Sequence, residues 1–150
     1  MQLALQAEVQ AVHQDGIVLL HTRSTKYGLL KDGQLVQVSA CLIKRQRQHM
    51  IILEDLGVQM ILGCNGLVWV GVPMRDDGND LKASMEQGMI ISIARAVQSI
   101  KALSHLRRMV STLSVTKVVS LSIEMQISPP SMLGTHFLEM VAALDFEITT

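Results

Sequence analysis

A short stretch of alternating residues and a short apolar run mark the beginning of the chain. Residues 7–12 read Ala-Glu-Val-Gln-Ala-Val, and an apolar run over residues 17–20 follows Asp15-Gly16. Alternation with a period of two is typical of a strand, and Asp-Gly between two such runs is a strong hairpin signal. The pattern therefore predicts a β-hairpin over residues 7–21. A further strand-like run covers residues 34–39 after Asp32-Gly33.

A second hairpin is predicted by the apolar run from residue 60 to residue 70. Gly63-Cys64-Asn65-Gly66, hereafter the glycine loop, interrupts this run once. Asn-Gly between apolar runs is the commonest signature of an ordinary tight turn. Two glycines also let bare backbone N–H groups approach a phosphate. Taken alone, the tetrapeptide favours the plain turn over a nucleic-acid loop.

The second half of the chain carries a helical pattern and then a strand-like one. Apolar residues recur at spacings of three or four at Ile90, Ile93, Val97, Ile100 and Leu103. The opposite face is predicted to hold Ser92, Arg95, Ser99 and Ala102. This spacing predicts an amphipathic helix with a buried stripe. Residues 119–128 instead alternate apolar and polar, which is the pattern of a half-buried strand, and residues 134–148 suit a last short helix.

Charge constrains any interaction with nucleic acid. The chain has 150 residues, and 13 Lys and Arg balance 13 Asp and Glu. A neutral chain generates no long-range attraction for phosphate, so any affinity for RNA must be local. The densest basic cluster contains Lys44, Arg45 and Arg47, hereafter the basic strip. It is either a solvated connector or a strip that contacts phosphate or a partner subunit, because closely spaced guanidinium groups suit both phosphate and carboxylate.

Sequence patterns for catalysis, cofactors and membrane insertion are missing. The two cysteines, Cys41 and Cys64, are too far apart for a Cys-x-x-Cys pair, and the five histidines form no metal-binding pair at helical spacing. No nucleophile elbow or phosphate-binding Gly-x-x-x-x-Gly-Lys motif occurs. The N-terminus does not read as a secretory signal, and the apolar run near residues 89–97 is too short to cross a bilayer. We therefore predict a non-enzymatic intracellular protein without a metal, cofactor or membrane partner.

Several motifs in the first half of the chain together resemble a known family. They are, in order, Ala7-Glu8-Val9-Gln10-Ala11-Val12, Asp15-Gly16, Leu20-His21-Thr22-Arg23-Ser24, Lys26-Tyr27-Gly28, Leu35-Val36-Gln37-Val38, Leu42-Ile43-Lys44-Arg45-Gln46 and the glycine loop ending at Trp69. This set resembles the ribosomal-RNA-processing protein 4 family, the cap subunits of the eukaryotic RNA exosome. In that family an RNA-binding barrel is followed by a KH domain with an unusual Gly-x-Asn-Gly loop. The resemblance is dense over residues 7–70 and thin beyond.

The resemblance implies an α+β fold in which a KH-type domain, a strand-loop-strand sheet packed with helices, follows a β-hairpin remnant of an OB-type barrel. It divides the chain into the hairpin remnant (1–25), a connecting segment (26–49) and the KH domain (50–150). The strands that precede the hairpin in the family are absent, so the chain resembles an N-terminally truncated member. Relatives carry a helix where the alternation indicates a strand, and we therefore expect a helix over residues 114–128, ended by Pro129-Pro130.

The resemblance also implies a function. It is that of a non-catalytic cap subunit that helps assemble the exosome and guides RNA to the 3'-5' exoribonuclease in the nucleus, nucleolus and cytoplasm. Expected partners are the ring of phosphorolytic-type subunits, the other cap subunits and single-stranded RNA. A free-standing KH regulator and a small enzyme using Cys64 or a histidine are the alternatives. A free-standing KH regulator would need basic residues in or beside the glycine loop to hold RNA, and this sequence lacks them there.

The candidate contact residues follow from this interpretation. For phosphate or partner contacts they are Arg23, Lys26, Lys44, Arg45 and Arg47. Gly63, Asn65 and Gly66 form the family loop, and Cys64 occupies its variable position. Because the loop lacks Lys and Arg, we expect it to be mainly structural, with Asn65 tying down the backbone.

Overall fold

A computed structural model describes residues 4–21, 28–30, 32–44, 48–73 and 87–144. The predicted contact residues Arg23, Lys26, Arg45 and Arg47 lie outside these ranges. The described residues form sheets and helices, and the predicted α+β class is confirmed. The strands are β1 (Ala4–Gln6), β2 (Glu8–Val12), β3 (Val18–His21), β4 (Gly28–Leu30), β5 (Gly33–Gln37), β6 (Met50–Leu53), β7 (Val58–Leu62) and β8 (Leu67–Gly71). The helices are α1 (Gln87–His105), α2 (Thr112–Glu124) and α3 (Thr135–Ala142).

The predicted N-terminal hairpin is present as the antiparallel pair β2–β3. Its turn contains Gly16 with a positive φ of 88°, and the register shifts between Val9 and Ala11 as in a β-bulge. A second antiparallel pair, β1–β4, was not predicted. Neither pair is hydrogen-bonded to the larger sheet.

The larger sheet has four antiparallel strands in the order β5-β8-β7-β6. Strand β5 lies inside the segment that the sequence treats as a connector, yet it pairs with β8 along its whole length, from Gly33 opposite Gly71 to Gln37 opposite Leu67. The sheet therefore starts upstream of the predicted boundary at residue 50. The sequence does not reveal this pairing, because a strand can join a sheet next to a partner that is distant along the chain.

Trp69 packs against glycines on β5 and β8. A Cβ atom at Gly33 or Gly71, which are cross-strand partners, would collide with the indole ring. The ring therefore occupies the space that these two side chains would otherwise fill. Trp69 is 3% exposed and is the one tryptophan of the chain. Its fluorescence is consequently a specific reporter of the integrity of this sheet.

Helix α1 confirms the predicted helix but buries a wider surface than expected. Ile93, Val97, Ile100 and Leu103 are buried as predicted, whereas Ile90 is 45% exposed. Ser99 and Ala102, predicted on the solvent face, are fully buried because α1 contacts α2 and α3 as well as the sheet. Ser99 tolerates burial because its hydroxyl donates to the Arg95 carbonyl at 2.8 Å.

Arg95, also predicted to face solvent, is partly buried and joins two segments. Its Nη1 donates to the Ser122 hydroxyl and to the Ile127 carbonyl, each at 2.8 Å. A guanidinium carries several donors, so one side chain can satisfy acceptors on both α2 and the segment that follows it. Arg95 therefore fixes the end of α2 against α1.

Helix α2 confirms the expected helix and corrects its end. The Ser111 side chain accepts from the Ser114 amide, and the Ser114 side chain accepts from the Ser111 amide, which forms a capping box. The helix ends at Glu124, before Pro129-Pro130. Gln126 has a positive φ of 54°, and the Ile127 amide donates to the Ser122 carbonyl at 2.9 Å. This arrangement is a Schellman-type ending, so the prolines begin a separate 3-10 turn, Pro129–Ser131.

Helix α3 confirms the predicted last helix over Thr135–Ala142, and residues 145–150 lie outside the described ranges. Its Phe137 and Val141 are buried and join one apolar core with side chains of α1, α2 and the sheet. No helix within the described ranges is long and apolar enough to cross a membrane.

Candidate nucleic-acid interface

The glycine loop connects β7 to β8 as a closed turn. The Gly63 amide donates to the Leu67 carbonyl at 2.9 Å, and the Gly66 amide donates to the Gly63 carbonyl at 3.0 Å. The strands on either side are largely buried, whereas Cys64 and Asn65 at the tip are exposed. The predicted hairpin over residues 60–70 is thus confirmed.

Gly66 fixes the loop against the segment that follows β5. Its φ is +88°, a conformation that side chains with a Cβ rarely adopt. The Gly66 carbonyl accepts from the Val38 amide at 2.8 Å. A Cβ at Gly66 would collide with the Val38 carbonyl and lie 3.2 Å from the Ala40 amide nitrogen. Only glycine meets both the backbone and the packing requirement at this position.

Gly63 and Asn65 organise the inside of the loop. The Asn65 side-chain Oδ1 accepts from the Leu67 amide at 3.1 Å. A Cβ at Gly63 would lie 2.7 Å from this Oδ1 and 2.5 Å from the Leu67 carbonyl oxygen. Glycine at position 63 therefore leaves the room that the Asn65 side chain occupies. This contact is the backbone-holding role anticipated for Asn65 in a loop that is mainly structural.

His49 is a residue of this site that sequence reasoning missed. It precedes β6 and lies beside Leu62, whose amide donates to the His49 carbonyl at 2.9 Å. Its ring Nδ1 is 2.9 Å from the Leu62 carbonyl oxygen, and its ring Nε2 is 3.8 Å from the Cys64 Sγ. The sequence gives no signal for this contact, because it depends on the register of β6 against β7.

The basic strip is represented in the described residues by Lys44 alone, which is exposed. Lys44 follows Ile43, which forms a parallel bridge with Val110 in the connection between α1 and α2. The Val110 amide also donates to the Leu42 carbonyl at 2.8 Å. The start of the strip is thereby fixed to the helical layer, while the glycine loop itself contains no cation.

A metal site finds no support in the described parts of the chain. No group of three or more His, Cys, Asp or Glu side chains in those ranges could hold a metal ion. The arrangement at the loop offers exposed backbone and an amide side chain, both of which suit contact with a polar polymer.

We expect Asn65→Ala to lower the free energy of unfolding by about 1 kcal/mol, because a hydrogen bond of this kind contributes about 0.5–1.5 kcal/mol. Urea unfolding followed by Trp69 fluorescence measures the change. Asn65→Asp keeps an acceptor for the Leu67 amide and should stay within about 0.5 kcal/mol of the original chain, as exposed substitutions usually do. Equal losses in both variants would mean that the Oδ1 contact is not what stabilises the loop.

Comparisons with known proteins agree on one family of relatives. A family model described as KH domain matches residues 33–75, and this match confirms the predicted KH-type domain. An exosome complex component RRP4 homolog from Arabidopsis thaliana is 36% identical over 94% of this chain and 49% of its own length. Exosome complex component RRP4 from Bos taurus is 41% identical over 82% of this chain and 44% of its own length. The Mus musculus protein of that name is 56% identical over 44% of this chain and 22% of its own length.

A solved structure shares the fold. It is a crystal structure of a protein provisionally assigned as an exosome complex RNA-binding protein, with a TM-score of 0.51 and 17% sequence identity. The match covers 81% of this chain and 65% of the other. This chain spans about half the length of the curated relatives with the broadest matches, 49% and 44%.

Proposed function

Because this chain belongs to the family of exosome complex component RRP4 proteins, we propose that it is a non-catalytic cap subunit of the RNA exosome. In this role it helps hold the assembly together and guides single-stranded RNA to a 3'-5' exoribonuclease carried by another subunit. Its partners are the ring of phosphorolytic-type subunits, the other cap subunits and RNA. It acts in the nucleus, the nucleolus and the cytoplasm.

The glycine loop is the observation that carries this proposal. Its turn is closed by its own backbone bonds, and Gly66 fixes it to Val38, so its shape exists before any ligand arrives. A preformed surface loses little conformational entropy on binding and can position a polymer without chemistry of its own. The neutral charge of the chain fits a subunit that guides RNA within an assembly better than one that captures RNA alone.

The chain is divided at residue 33 in this proposal. The two strand pairs β1–β4 and β2–β3 belong to the barrel-derived region, and the KH unit begins with β5. Two observations support the division. The four-stranded sheet starts at Gly33, and the family model starts at the same residue. This boundary replaces the earlier expectation of residue 50.

The contacts to RNA or to the ring come from basic residues outside the loop. Candidates are the basic strip together with Arg23 and Lys26. Lys44 is exposed next to the bridge between Ile43 and Val110, which supports a contact role for Lys44. The glycine loop contributes shape, and the strip contributes charge.

Replacing Lys44, Arg45 and Arg47 together by Glu should weaken the binding that the strip provides. If the strip contacts phosphate, three lost contacts should reduce the slope of log affinity against log salt by about 2, since each contributes about 0.7 for single strands. Filter binding of single-stranded RNA to the purified ring loaded with this chain measures the slope. A pull-down of the ring by the tagged chain measures the partner contact.

A control variant reverses the charge of two cations elsewhere in the chain. Lys101 and Arg107 are exposed cations of the helical layer, and changing both to Glu should leave ring binding and the salt slope unchanged. The assigned role of the strip would be contradicted if the strip variant kept both its ring binding and its salt slope. Equal losses in the control variant would contradict it as well.

A further inference from the structure

Cys64 and His49 form a nucleophile and base pair at the tip of the glycine loop. The Cys64 Sγ lies 3.8 Å from the His49 Nε2, and the Cys64 side chain is exposed. A thiol within reach of an imidazole that a third group orients is the arrangement found at reactive cysteines, and its contacts are often longer before a reagent binds. The proposed function assigns no chemistry to either side chain.

The Leu62 carbonyl determines which nitrogen of His49 can act as the base. The His49 Nδ1 is 2.9 Å from this carbonyl oxygen, which can only accept a hydrogen bond. In the neutral ring Nδ1 therefore carries the proton, and Nε2 presents a lone pair towards the thiol. The backbone of β7 thus holds the imidazole in the tautomer that can take a proton from Cys64.

We propose that Cys64 is a modification site that reacts with small disulfides, with His49 as its general base. The Sγ proton passes to the His49 Nε2 while the sulfur attacks one sulfur of the disulfide. The S–S bond of the reagent breaks and a new S–S bond to Cys64 forms. The electron pair of the broken S–S bond stays with the departing sulfur, which takes the proton back from His49 and leaves as a thiol. The Cys64 sulfur is oxidised, and the departing sulfur is reduced to the same extent.

Cys41 is an internal comparison for this reactivity. It is exposed like Cys64, but it makes no side-chain hydrogen bond to any residue in the described ranges. Exposure alone therefore predicts equal reactivity of the two thiols, whereas the His49 contact predicts that Cys64 reacts faster.

The test treats the folded 150-residue chain with hydroxyethyl disulfide and follows each cysteine by peptide mass. We expect Cys64 to react at least about a hundredfold faster than Cys41, the lower end of what a positioned base contributes. In concentrated urea the two rates should agree within about twofold, because unfolding removes the His49 contact. Because both thiols belong to the same molecule, the ratio of their reaction rates can be measured without a mutant protein.

His49→Gln then separates the base from the fold. Glutamine keeps an amide donor for the Leu62 carbonyl but has no basic nitrogen. The Cys64 rate should fall to the Cys41 rate, while native Trp69 fluorescence and an unchanged Cys41 rate show that the sheet is intact. Equal rates in the folded original chain, or an unchanged Cys64 rate in this variant, would overturn the proposal. Neither result bears on the exosome assignment.

Discussion

Replacing Gly66 by alanine should lower the free energy of unfolding by about 3 kcal/mol. Part of this loss is the cost of a left-handed backbone for a residue with a Cβ, about 1–2 kcal/mol. The rest arises because the new Cβ would collide with the Val38 carbonyl. Val38 is also the residue whose amide donates to the Gly66 carbonyl. Overpacking of this kind costs about 1–3 kcal/mol. Urea unfolding followed by Trp69 fluorescence measures the total.

Gly57→Ala is the matched control for Gly66. Gly57 lies in the β6–β7 turn of the same sheet with φ +67°, but a Cβ there would have no neighbour within 4 Å. This variant should lose only the backbone part, about 1–2 kcal/mol. Losses of equal size at the two positions would show that contact with Val38 does not constrain the glycine loop.

Phe137→Ala should cost about 3–5 kcal/mol, the usual range for truncating a buried phenylalanine. Phe137 is 1% exposed and is among the largest fully buried side chains of the core. Its side chain packs α3 against the same core as α1 and α2, so truncating this side chain leaves a cavity between the helices. Because small domains have only about 5–15 kcal/mol of total stability, thermal unfolding should shift strongly to lower temperature.

Leu133→Ala, just before α3, provides the comparison. Leu133 is 40% exposed, so its truncation should change stability by no more than about 0.5 kcal/mol. A loss at Phe137 as small as the loss at Leu133 would mean that α3 is not packed on the core.

Local signals made the turns predictable. Asp15-Gly16 and the glycine loop each carry the residue type that a positive φ requires, and both lie between apolar runs. The contact between Gly66 and Val38 was not predictable, because a sequence pattern does not show which distant backbone a turn approaches. The pairing of His49 with Leu62 was hidden for the same reason.

Buried serines explain why the helical pattern was only partly readable. The sequence places Ser99 on a polar face and makes residues 119–128 alternate, yet Ser99, Ser114 and Ser122 are buried. Their hydroxyls donate to the carbonyls of Arg95, Met109 and Val119 at 2.7–2.8 Å. A hydroxyl that donates to a nearby backbone carbonyl can be buried at low cost. A polar residue in the sequence therefore does not indicate solvent exposure at these positions. The helix over α2 was predicted from the family resemblance alone.

The sequence predicted the position of the basic strip but not its surroundings. Composition located the cluster, but its neighbours depend on tertiary structure, and of its members the described ranges include only Lys44. Its role stays a prediction that the charge-reversal variant tests.

Co-purification of the tagged chain from its own cells tests whether it is a subunit of the RNA exosome. Partners that survive a wash at moderate salt are identified by mass spectrometry, with the tag alone as the control. We expect recovery of the ring and of the other cap subunits in defined proportion to the chain. Recovery of RNA without those subunits would contradict it in favour of an independent KH regulator, and recovery of chaperones alone would contradict assembly altogether.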